Sequence, residues 1–229
     1  MEPYYCDTIQ TLGQLLKEDK RILCEGAQGT MLDVDFGTYP FVTSSSPTSG
    51  GACTGLSIPP KYIGNVYGLM KAYTTRVGSG PFPSELSDED GELLQKAGDE
   101  FGATTGRKRR CGWLDLVVVK HAIAVSGIDE IVLTKLDVLD TLGKIKICTS
   151  YNIDGKEITH IPAAQSQLER VKPQFTELQG WESKTHGMQK YNDLPEKAKE
   201  YISFIEQFLQ IPVSMISTGK DRNDIIFNT

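Results

Sequence analysis

The chain has 229 residues, enough for one large domain with its own core, and we treat residues 1–229 as a single domain. Its 24 basic and 30 acidic residues give a formal charge of −6, which argues against a nucleic-acid partner, since phosphate-backbone binders usually carry a basic surplus. No apolar run approaches the roughly 20 residues that cross a bilayer, and the first residues lack a signal-peptide pattern. We therefore expect a cytoplasmic protein without a membrane partner.

The first half of the chain reads as alternating elements. Apolar residues at helical spacing between 9 and 16 predict a helix, and residues 21–25 resemble a strand. Residues 33–55 are rich in Ser, Thr and Gly, which is typical of a long, functional loop. A stripe at Ile63, Val66, Tyr67 and Met70 predicts a helix that faces the core.

The second half gives clearer patterns. Residues 113–126 are strongly apolar and Gly127 follows, which predicts a helix that feeds a buried strand at 131–134. Residues 144–161 alternate around an Asn-Ile-Asp-Gly turn and predict an antiparallel hairpin. A helix capped by Asp193 and Glu196, with Ala198, Ile202, Ile205 and Leu209 facing inward, precedes a last strand at 212–216. These elements predict an α/β fold with a mixed, mostly parallel sheet flanked by helices.

Two strand ends carry candidate binding residues. The strand at 131–134 is followed by Lys135, Leu136 and Asp137, and the last strand by Ser217, Thr218 and Gly219. A carboxylate has two acceptor oxygens, and guanine offers two adjacent N–H donors that adenine lacks, so Asp137 could select guanine. Ligands of open α/β sheets bind at the carboxyl ends of the strands, which places both loops at one crevice. The alternative is an ordinary polar turn after a strand.

The phosphate end of a nucleotide site is not evident. No G-x-x-x-x-G-K-[ST] loop occurs, and the nearest candidate, residues 25–30, has no lysine. Residues 102–106 precede four basic residues, Arg107 to Arg110, and their hydroxyls and N–H groups beside arginines would form an anion cradle. A solvated basic turn is the alternative.

The five cysteines lack C-x-x-C spacing, which favours reduced thiols over disulfides. The three histidines, His121, His160 and His186, are far apart and lack ligand partners at metal spacing, so we predict no structural zinc site.

Seven segments resemble adenylosuccinate synthetase, in the same order as in that family. The segments are CEGAQGT at 24–30, DFGTYPFVTS at 35–44, AYTTRVG at 72–78, GPFPSE at 80–85, TTGRKRR at 104–110, GWLD at 112–115 and TKLD at 134–137. The resemblance spans the chain from about its first strand to its C-terminus. It implies a ligase of purine biosynthesis that joins IMP and L-aspartate into adenylosuccinate while GTP becomes GDP and phosphate.

The resemblance also implies residue roles. IMP would contact Gln28, Thr43 and Arg107. L-Aspartate would be received by the loop of Ala103, Thr104, Thr105, Gly106, Arg107, Lys108 and Arg109, and GTP by Arg109, Lys135, Leu136, Asp137, Ser217, Thr218 and Gly219. Mg²⁺ is expected on the GTP phosphates with ligands outside this chain, and the full-length enzyme is expected to be a homodimer.

The family's phosphate loop, its proton-abstracting aspartate and its assisting histidine have no counterpart in the sequence. The chain therefore resembles the C-terminal portion of the enzyme, and we expect it to be inactive alone. A truncated gene model, a processed fragment and one piece of a split enzyme all stay open. Two other functions stay open as well, a non-catalytic module that binds guanine nucleotide and a dicarboxylate, and an anion-binding module built on Arg107–Arg110.

Overall fold

Two four-stranded sheets and one two-stranded sheet organise the computed structural model, which describes residues 5–102 and 106–228. The helices are α1 (Thr8–Lys17), α2 (Gly50–Leu56), α3 (Glu89–Ala97), α4 (Leu116–Ser126), α5 (Gln165–Leu168) and α6 (Glu196–Leu209). The strands are β1 (Tyr67–Lys71), β2 (Thr74–Arg76), β3 (Arg110–Gly112), β4 (Leu114–Asp115), β5 (Glu130–Thr134), β6 (Lys144–Ile153), β7 (Lys156–Ile158), β8 (Lys172–Gln179), β9 (Val213–Ser217) and β10 (Ile225–Phe227). Short 3₁₀ helices lie at Thr30–Leu32, Pro60–Tyr62, Leu136–Leu139 and Tyr191–Asp193.

The first sheet has the order β1-β5-β9-β10. Strands β1, β5 and β9 run parallel, and β10 pairs antiparallel with β9 at the edge. The predicted class, an α/β fold with a mixed, mostly parallel sheet, is confirmed. Because β1, β5 and β9 run in the same direction, their carboxyl ends lie on the same side of the sheet. These ends are Lys71, Thr134 and Ser217.

Helices α4 and α6 contact each other and contribute to one large core with this sheet. The predicted inward face of α6 is confirmed, since Ala198, Ile202, Ile205 and Leu209 are all buried. Gly127 ends α4 as predicted, in the left-handed conformation at φ 61° that favours glycine after a helix. Strand β5 alternates in burial, with Ile131 and Leu133 inside. The core thus fixes where β5 and β9 end.

The second sheet is built around the long strand β6. Strand β4 pairs with it in parallel, and β7 and β8 pair with it antiparallel. The predicted hairpin is confirmed, and Asp154 at φ 53° with Gly155 at φ 84° form the tight turn between β6 and β7. The pairing of β8 was not predicted. Most of the residues of β8 are exposed, and its sequence has no continuous apolar run that would have predicted a strand.

Three predictions for the first half were wrong. Residues 21–25 form no strand, and Leu23 is 90% exposed, so no neighbour covers an apolar face there. Residues 63–70 are not a helix, because residues 63–66 are irregular and β1, which begins at Tyr67, pairs with β5. At Gly68 the strand lies so close to Ile128 that an added Cβ would come within 2.9 Å of it. The predicted 33–55 loop is interrupted by α2.

The predicted cap of α6 was also wrong. Pro195 occupies the N-cap position without a side-chain hydrogen bond, and Asp193 lies in the preceding 3₁₀ helix. A proline is compatible with a helix start because its fixed φ suits the first turn and no N–H is lost there. Within residues 5–102 and 106–228, no helix is both long and apolar enough to span a membrane.

Asp115, at the end of β4, links the second sheet to α4. Its Oδ1 accepts from the backbone N–H groups of Val117 at 3.1 Å and Val118 at 3.2 Å, which caps the helix. Its Oδ2 accepts from the Tyr151 hydroxyl at 2.7 Å, and the Tyr151 side chain is fully buried. One carboxylate therefore satisfies a helix terminus and a buried hydroxyl.

We expect Asp115→Ala to lower the free energy of unfolding by about 2–4 kcal/mol, because it removes a helix cap and leaves the Tyr151 hydroxyl unpaired. Asp7→Ala is the matched control, since Asp7 caps α1 through one exposed bond from Gln10. That change should cost only about 1 kcal/mol. Urea unfolding of both variants measures the difference, and equal losses would contradict the buried role of Asp115.

Candidate functional site

The first loop of the site follows β5. Lys135 turns the chain at φ 60°, and Asp137 lies in the 3₁₀ helix that comes next. The Asp137 side chain is 22% exposed, and burial raises its pKa while a hydrogen bond from His186 opposes that rise. Nδ1 of His186 lies 3.4 Å from Oδ2 of Asp137. The carboxylate is therefore accessible from one side and partnered by a histidine that sequence reasoning did not assign to the site.

The second loop follows β9, the neighbour of β5 in the sheet. A Cβ added to Gly219 would lie 2.9 Å from Cε1 of His186 and would overlap the Asp224 carboxylate, so both side chains pack directly against the Gly219 backbone. His186 thus lies between Asp137 and Gly219, and the structure brings the two predicted loops together. Thr218 points inward, since its side chain is buried and its hydroxyl donates to the Met188 carbonyl at 2.8 Å. Only the backbone of Thr218 could face a ligand.

Asp140 fixes the segment that carries His186. Its carboxylate accepts from Trp181 Nε1 at 2.8 Å and from both the backbone N–H and the hydroxyl of Thr185 at 2.7 Å. Thr185 is fully buried and immediately precedes His186. The imidazole therefore stands on a rigid support, although its own side chain is 61% exposed.

The basic run lies on the outgoing arm of a short hairpin. Gly102 donates to the Arg107 carbonyl at 2.8 Å, Phe101 pairs with Lys108, and the N–H of Arg109 donates to the Glu100 carbonyl at 2.9 Å. Gly106 closes the stem at φ 61°. The predicted residues Ala103, Thr104 and Thr105 lie outside the described residues. The stem nevertheless shows that Gly106, Arg107, Lys108 and Arg109 are held on one structural unit.

The most deeply buried ionic group of the site is Glu100, whose side chain is 0% exposed. Its Oε1 accepts from Tyr73 at 2.6 Å, Lys71 at 2.8 Å and Lys135 at 3.0 Å, and its Oε2 accepts from Arg109 at 2.8 Å. We call these five residues the Glu100 cluster. The cations are 27–32% exposed, so their outer sides reach solvent. Sequence reasoning missed Glu100, because a single glutamate before the segment 102–106 matches no binding motif.

The Glu100 cluster joins three segments that the chain keeps far apart. Lys71 ends β1, Lys135 follows β5, and Arg109 lies on the hairpin. Gly98 is required for this arrangement, because a Cβ there would overlap the Tyr73 hydroxyl, and its carbonyl accepts a second hydrogen bond from Lys135. The guanine candidate loop and the basic run are thus physically connected.

The predicted IMP residues Gln28 and Thr43 also come together. The amide nitrogen of Gln28 donates to the Thr43 hydroxyl at 3.1 Å, and its amide oxygen accepts from Ser45 at 2.9 Å. Gln28 adopts a left-handed φ of 69° and is exposed. Its amide could exchange either neighbour for a ligand, and Ser45 is a partner that the sequence did not reveal.

The cysteines and acidic residues do not form a metal centre in the described part of the chain. All five cysteines are free thiols, as predicted. Across residues 5–102 and 106–228, no three His, Cys, Asp or Glu side chains converge as metal ligands, so we assign none of them to Mg²⁺.

Glu100 should stay ionised far into the acid range. Burial alone would raise its pKa, but the hydrogen bonds from Lys71, Tyr73, Arg109 and Lys135 outweigh burial and lower the pKa from 4.5 to about 2. Since the folded-state pKa is depressed, the contribution to stability is present above about pH 4.5 and is lost as the pH falls toward 2. Side-chain carboxyl ¹³C NMR between pH 7 and 3 should show no titration of Glu100. A midpoint near its ordinary value would contradict the cluster.

Comparison with known proteins identifies the family. A family model described as adenylosuccinate synthetase matches residues 1–226. Adenylosuccinate synthetase of Chlorobium phaeobacteroides is 54% identical over 227 residues, and that of Schizosaccharomyces japonicus is 53% identical over 226 residues. Each alignment covers 99% of this chain and 52% of the relative, so the chain spans about half the length of the curated relatives it matches.

Solved structures agree with this result. The fully ligated adenylosuccinate synthetase of Plasmodium falciparum superposes with a TM-score of 0.95 at 39% identity, covering 98% of this chain and 54% of the other. The succinoaminodeoxyadenylate synthetase of cyanophage S-2L, at 20% identity and a TM-score of 0.59, shares the fold, with 97% of this chain and 50% of the other covered. The resemblance seen in the sequence motifs is confirmed: the chain belongs to the adenylosuccinate synthetase family.

Proposed function

We propose that this chain forms the guanine-reading and aspartate-receiving part of an adenylosuccinate synthetase. The reaction joins IMP and L-aspartate into adenylosuccinate, and GTP becomes GDP and phosphate. The observation that carries the proposal is the position of Asp137, a partly exposed carboxylate at the carboxyl end of β5 that faces the loop at Gly219 across His186. Family membership supports the reaction, and the chain's own contacts support the residue roles.

Guanine would lie between the two loops. The Asp137 carboxylate accepts from the ring N–H and the exocyclic amine, while the backbone at Ser217, Thr218 and Gly219 lies against the base. Lys135, Leu136 and Arg109 complete the GTP-binding set. Of these, Leu136 is fully buried, so it supports the loop by packing and presents only its backbone. Lys135 and Arg109 present their partly exposed cationic groups.

L-Aspartate would bind at the segment of residues 103–109 that carries the basic run. Arg107, Lys108 and Arg109 supply positive charge, and Gly106 with the proposed residues Ala103, Thr104 and Thr105 supplies N–H groups and hydroxyls. Two carboxylates need two sets of paired donors, and the planar guanidinium of arginine provides such a pair more readily than the ammonium of lysine. Arg107 would touch both L-aspartate and IMP.

IMP would bind near Gln28 and Thr43. A purine oxygen is a poor leaving group, so GTP first transfers its γ-phosphoryl group to the 6-oxygen of IMP, and the aspartate amine then displaces that phosphate. The Gln28 amide donates to the 6-oxygen of IMP while that oxygen is phosphorylated and then leaves with the phosphate. Thr43 contacts the IMP phosphate. Mg²⁺ would neutralise the GTP phosphates through ligands outside this chain. A cytoplasmic homodimer is part of the same proposal.

A non-catalytic module that binds guanine nucleotide and a dicarboxylate is the second candidate. The same two pockets support it, since neither Asp137 nor the hairpin performs a chemical step by itself. Phosphate release from GTP that requires both IMP and L-aspartate, measured with this chain supplied with the N-terminal half of a synthetase of the family, separates the two functions. Release supports the synthetase, whereas tight binding without release supports the module.

Asp137→Asn in the complete synthetase that carries this chain should shift its preference from GTP toward XTP. The amide replaces one acceptor by a donor, which mismatches guanine but suits xanthine, whose 2-position carries an oxygen. We expect kcat/KM for GTP to fall by about 100-fold or more, the size expected when a hydrogen-bonding site loses its partner. Asp129→Asn is the matched control, because Asp129 lies at the opposite end of β5 and binds the Val66 N–H. Unchanged use of GTP without gain for XTP would show that Asp137 does not read the base.

Arg107→Leu should raise the KM for L-aspartate by about tenfold or more and lower kcat, because the lost cation acts on both the bound substrate and the transition state. Arg109→Leu should raise the KM for GTP as well as the KM for L-aspartate. Arg170→Leu serves as the control, since Arg170 is a surface residue that pairs with Asp154. Steady-state kinetics with each substrate varied in turn make the comparison, and an unchanged KM for aspartate would mean that the basic run is a solvated turn.

A further inference from the structure

The Glu100 cluster carries more positive charge than its one carboxylate neutralises. Three cationic side chains, Lys71, Arg109 and Lys135, share one carboxylate, so the cluster carries a surplus of two positive charges. Burying a carboxylate is costly unless it is paired and hydrogen-bonded, and Glu100 meets this condition with four donors. The arrangement therefore requires Glu100 to be ionised and the three cations to be held around it.

Two of these cations belong to different binding loops. Lys135 starts the loop that carries Asp137, and Arg109 lies on the hairpin stem that also carries Arg107. Lys135 also donates to the Gly98 carbonyl, and the backbone of Arg109 donates to the Glu100 carbonyl. Both the side chain and the backbone of Glu100 thus fix Arg109, while its side chain fixes Lys135.

We propose that Glu100 is a positioning residue that fixes the guanine loop and the aspartate hairpin relative to each other, so that the sites for GTP and L-aspartate depend on one buried carboxylate. The inference rests on the proposed function, which assigns these two ligands to the two loops. Without the carboxylate, Lys71 and Lys135, which contact the same oxygen, would repel each other, and Arg109 would lose its anchor. Both loops would then move away from their binding geometry.

The IMP residues provide an internal comparison. Gln28 and Thr43 are held by their own hydrogen bonds together with Ser45, in a separate segment of the chain. A residue that only stabilised the fold would reduce the amount of active enzyme for all three substrates alike. A residue that positions the two loops raises the KM values for GTP and L-aspartate more than the KM for IMP, because only Arg107 of the three proposed IMP residues lies on either loop.

The test measures three KM values in the complete synthetase for Glu100→Gln and Glu100→Asp. The amide keeps the shape but removes the charge, and we expect the KM for GTP and for L-aspartate each to rise about tenfold or more, with less than about a threefold change for IMP. Aspartate keeps the charge on a shorter side chain, so both rises should shrink to about threefold. This partial rescue follows from charge and would not follow from packing alone.

Glu85→Gln is the matched control. Glu85 is also a carboxylate paired with an arginine of the basic run, Arg110, through two hydrogen bonds, but Lys135 and Arg109 are not its partners. Its three KM values should stay within about twofold of the parent. Equal effects of the Glu85 and Glu100 changes would overturn the proposal.

Folding is checked by circular dichroism at the assay temperature. If Glu100→Gln does not fold, Glu100→Asp decides, and joint rises for GTP and L-aspartate support the proposal. A rise for only one of these ligands, or a loss of kcat with unchanged KM values, overturns it. The outcome is separable from the proposed function, because GTP preference of the parent and the Asp137→Asn switch are measured without altering Glu100.

Discussion

The architecture of the site depends on one buried carboxylate that is ionised because four donors surround it. Glu100 has no exposed surface, yet its pKa is lowered to about 2, since hydrogen bonds from Lys71, Tyr73, Arg109 and Lys135 outweigh the cost of burial. A buried carboxylate left without its cations would cost several kcal/mol, so the segments that carry Lys71, Arg109 and Lys135 are tied to Glu100. The requirement for a glycine at position 98 shows how closely the backbone packs around it.

The sheet supplies the second constraint. Parallel pairing of β1, β5 and β9 brings their carboxyl ends to one edge, and each end contributes a polar residue to the site. Core burial of Leu133 and Ile216 fixes the two central strands, so Asp137 and Gly219 are placed by packing that lies well away from any ligand. Asp140 and the buried Thr185 then bring His186 between them. Rigid elements therefore carry the polar groups, which is how a site holds its geometry before a ligand arrives.

The sequence predicted the elements whose apolar patterns are long and clearly ended. Helix α4 ends at Gly127, the β6–β7 hairpin turns at Gly155, and β5 and β9 are buried on the predicted residues. Strand β1 was mistaken for a helix because its apolar residues happen to recur at helical spacing, and only pairing with β5 decides its form. Long-range pairing of this kind leaves little local signal.

The candidate site was predictable to the same extent. Strand-end position and side-chain chemistry were enough to select Asp137 and the loop at Gly219 as candidates, and family motifs assigned Gln28 and Thr43 to IMP. Glu100 and His186 were missed for a physical reason. Glu100 is distinguished by its burial among four donors and His186 by the approach of Asp137 and Gly219, and both properties arise from the tertiary fold.

A crystal structure of the complete synthetase with GDP, IMP and L-aspartate would show the guanine contact, the aspartate site and the Glu100 cluster together. We expect both Asp137 oxygens to accept hydrogen bonds from guanine, L-aspartate to lie on the hairpin at Arg107, and Lys135 and Arg109 still to contact Glu100. Guanine bound away from Asp137, or Lys135 and Arg109 separated from Glu100 in the ligated enzyme, would contradict these expectations.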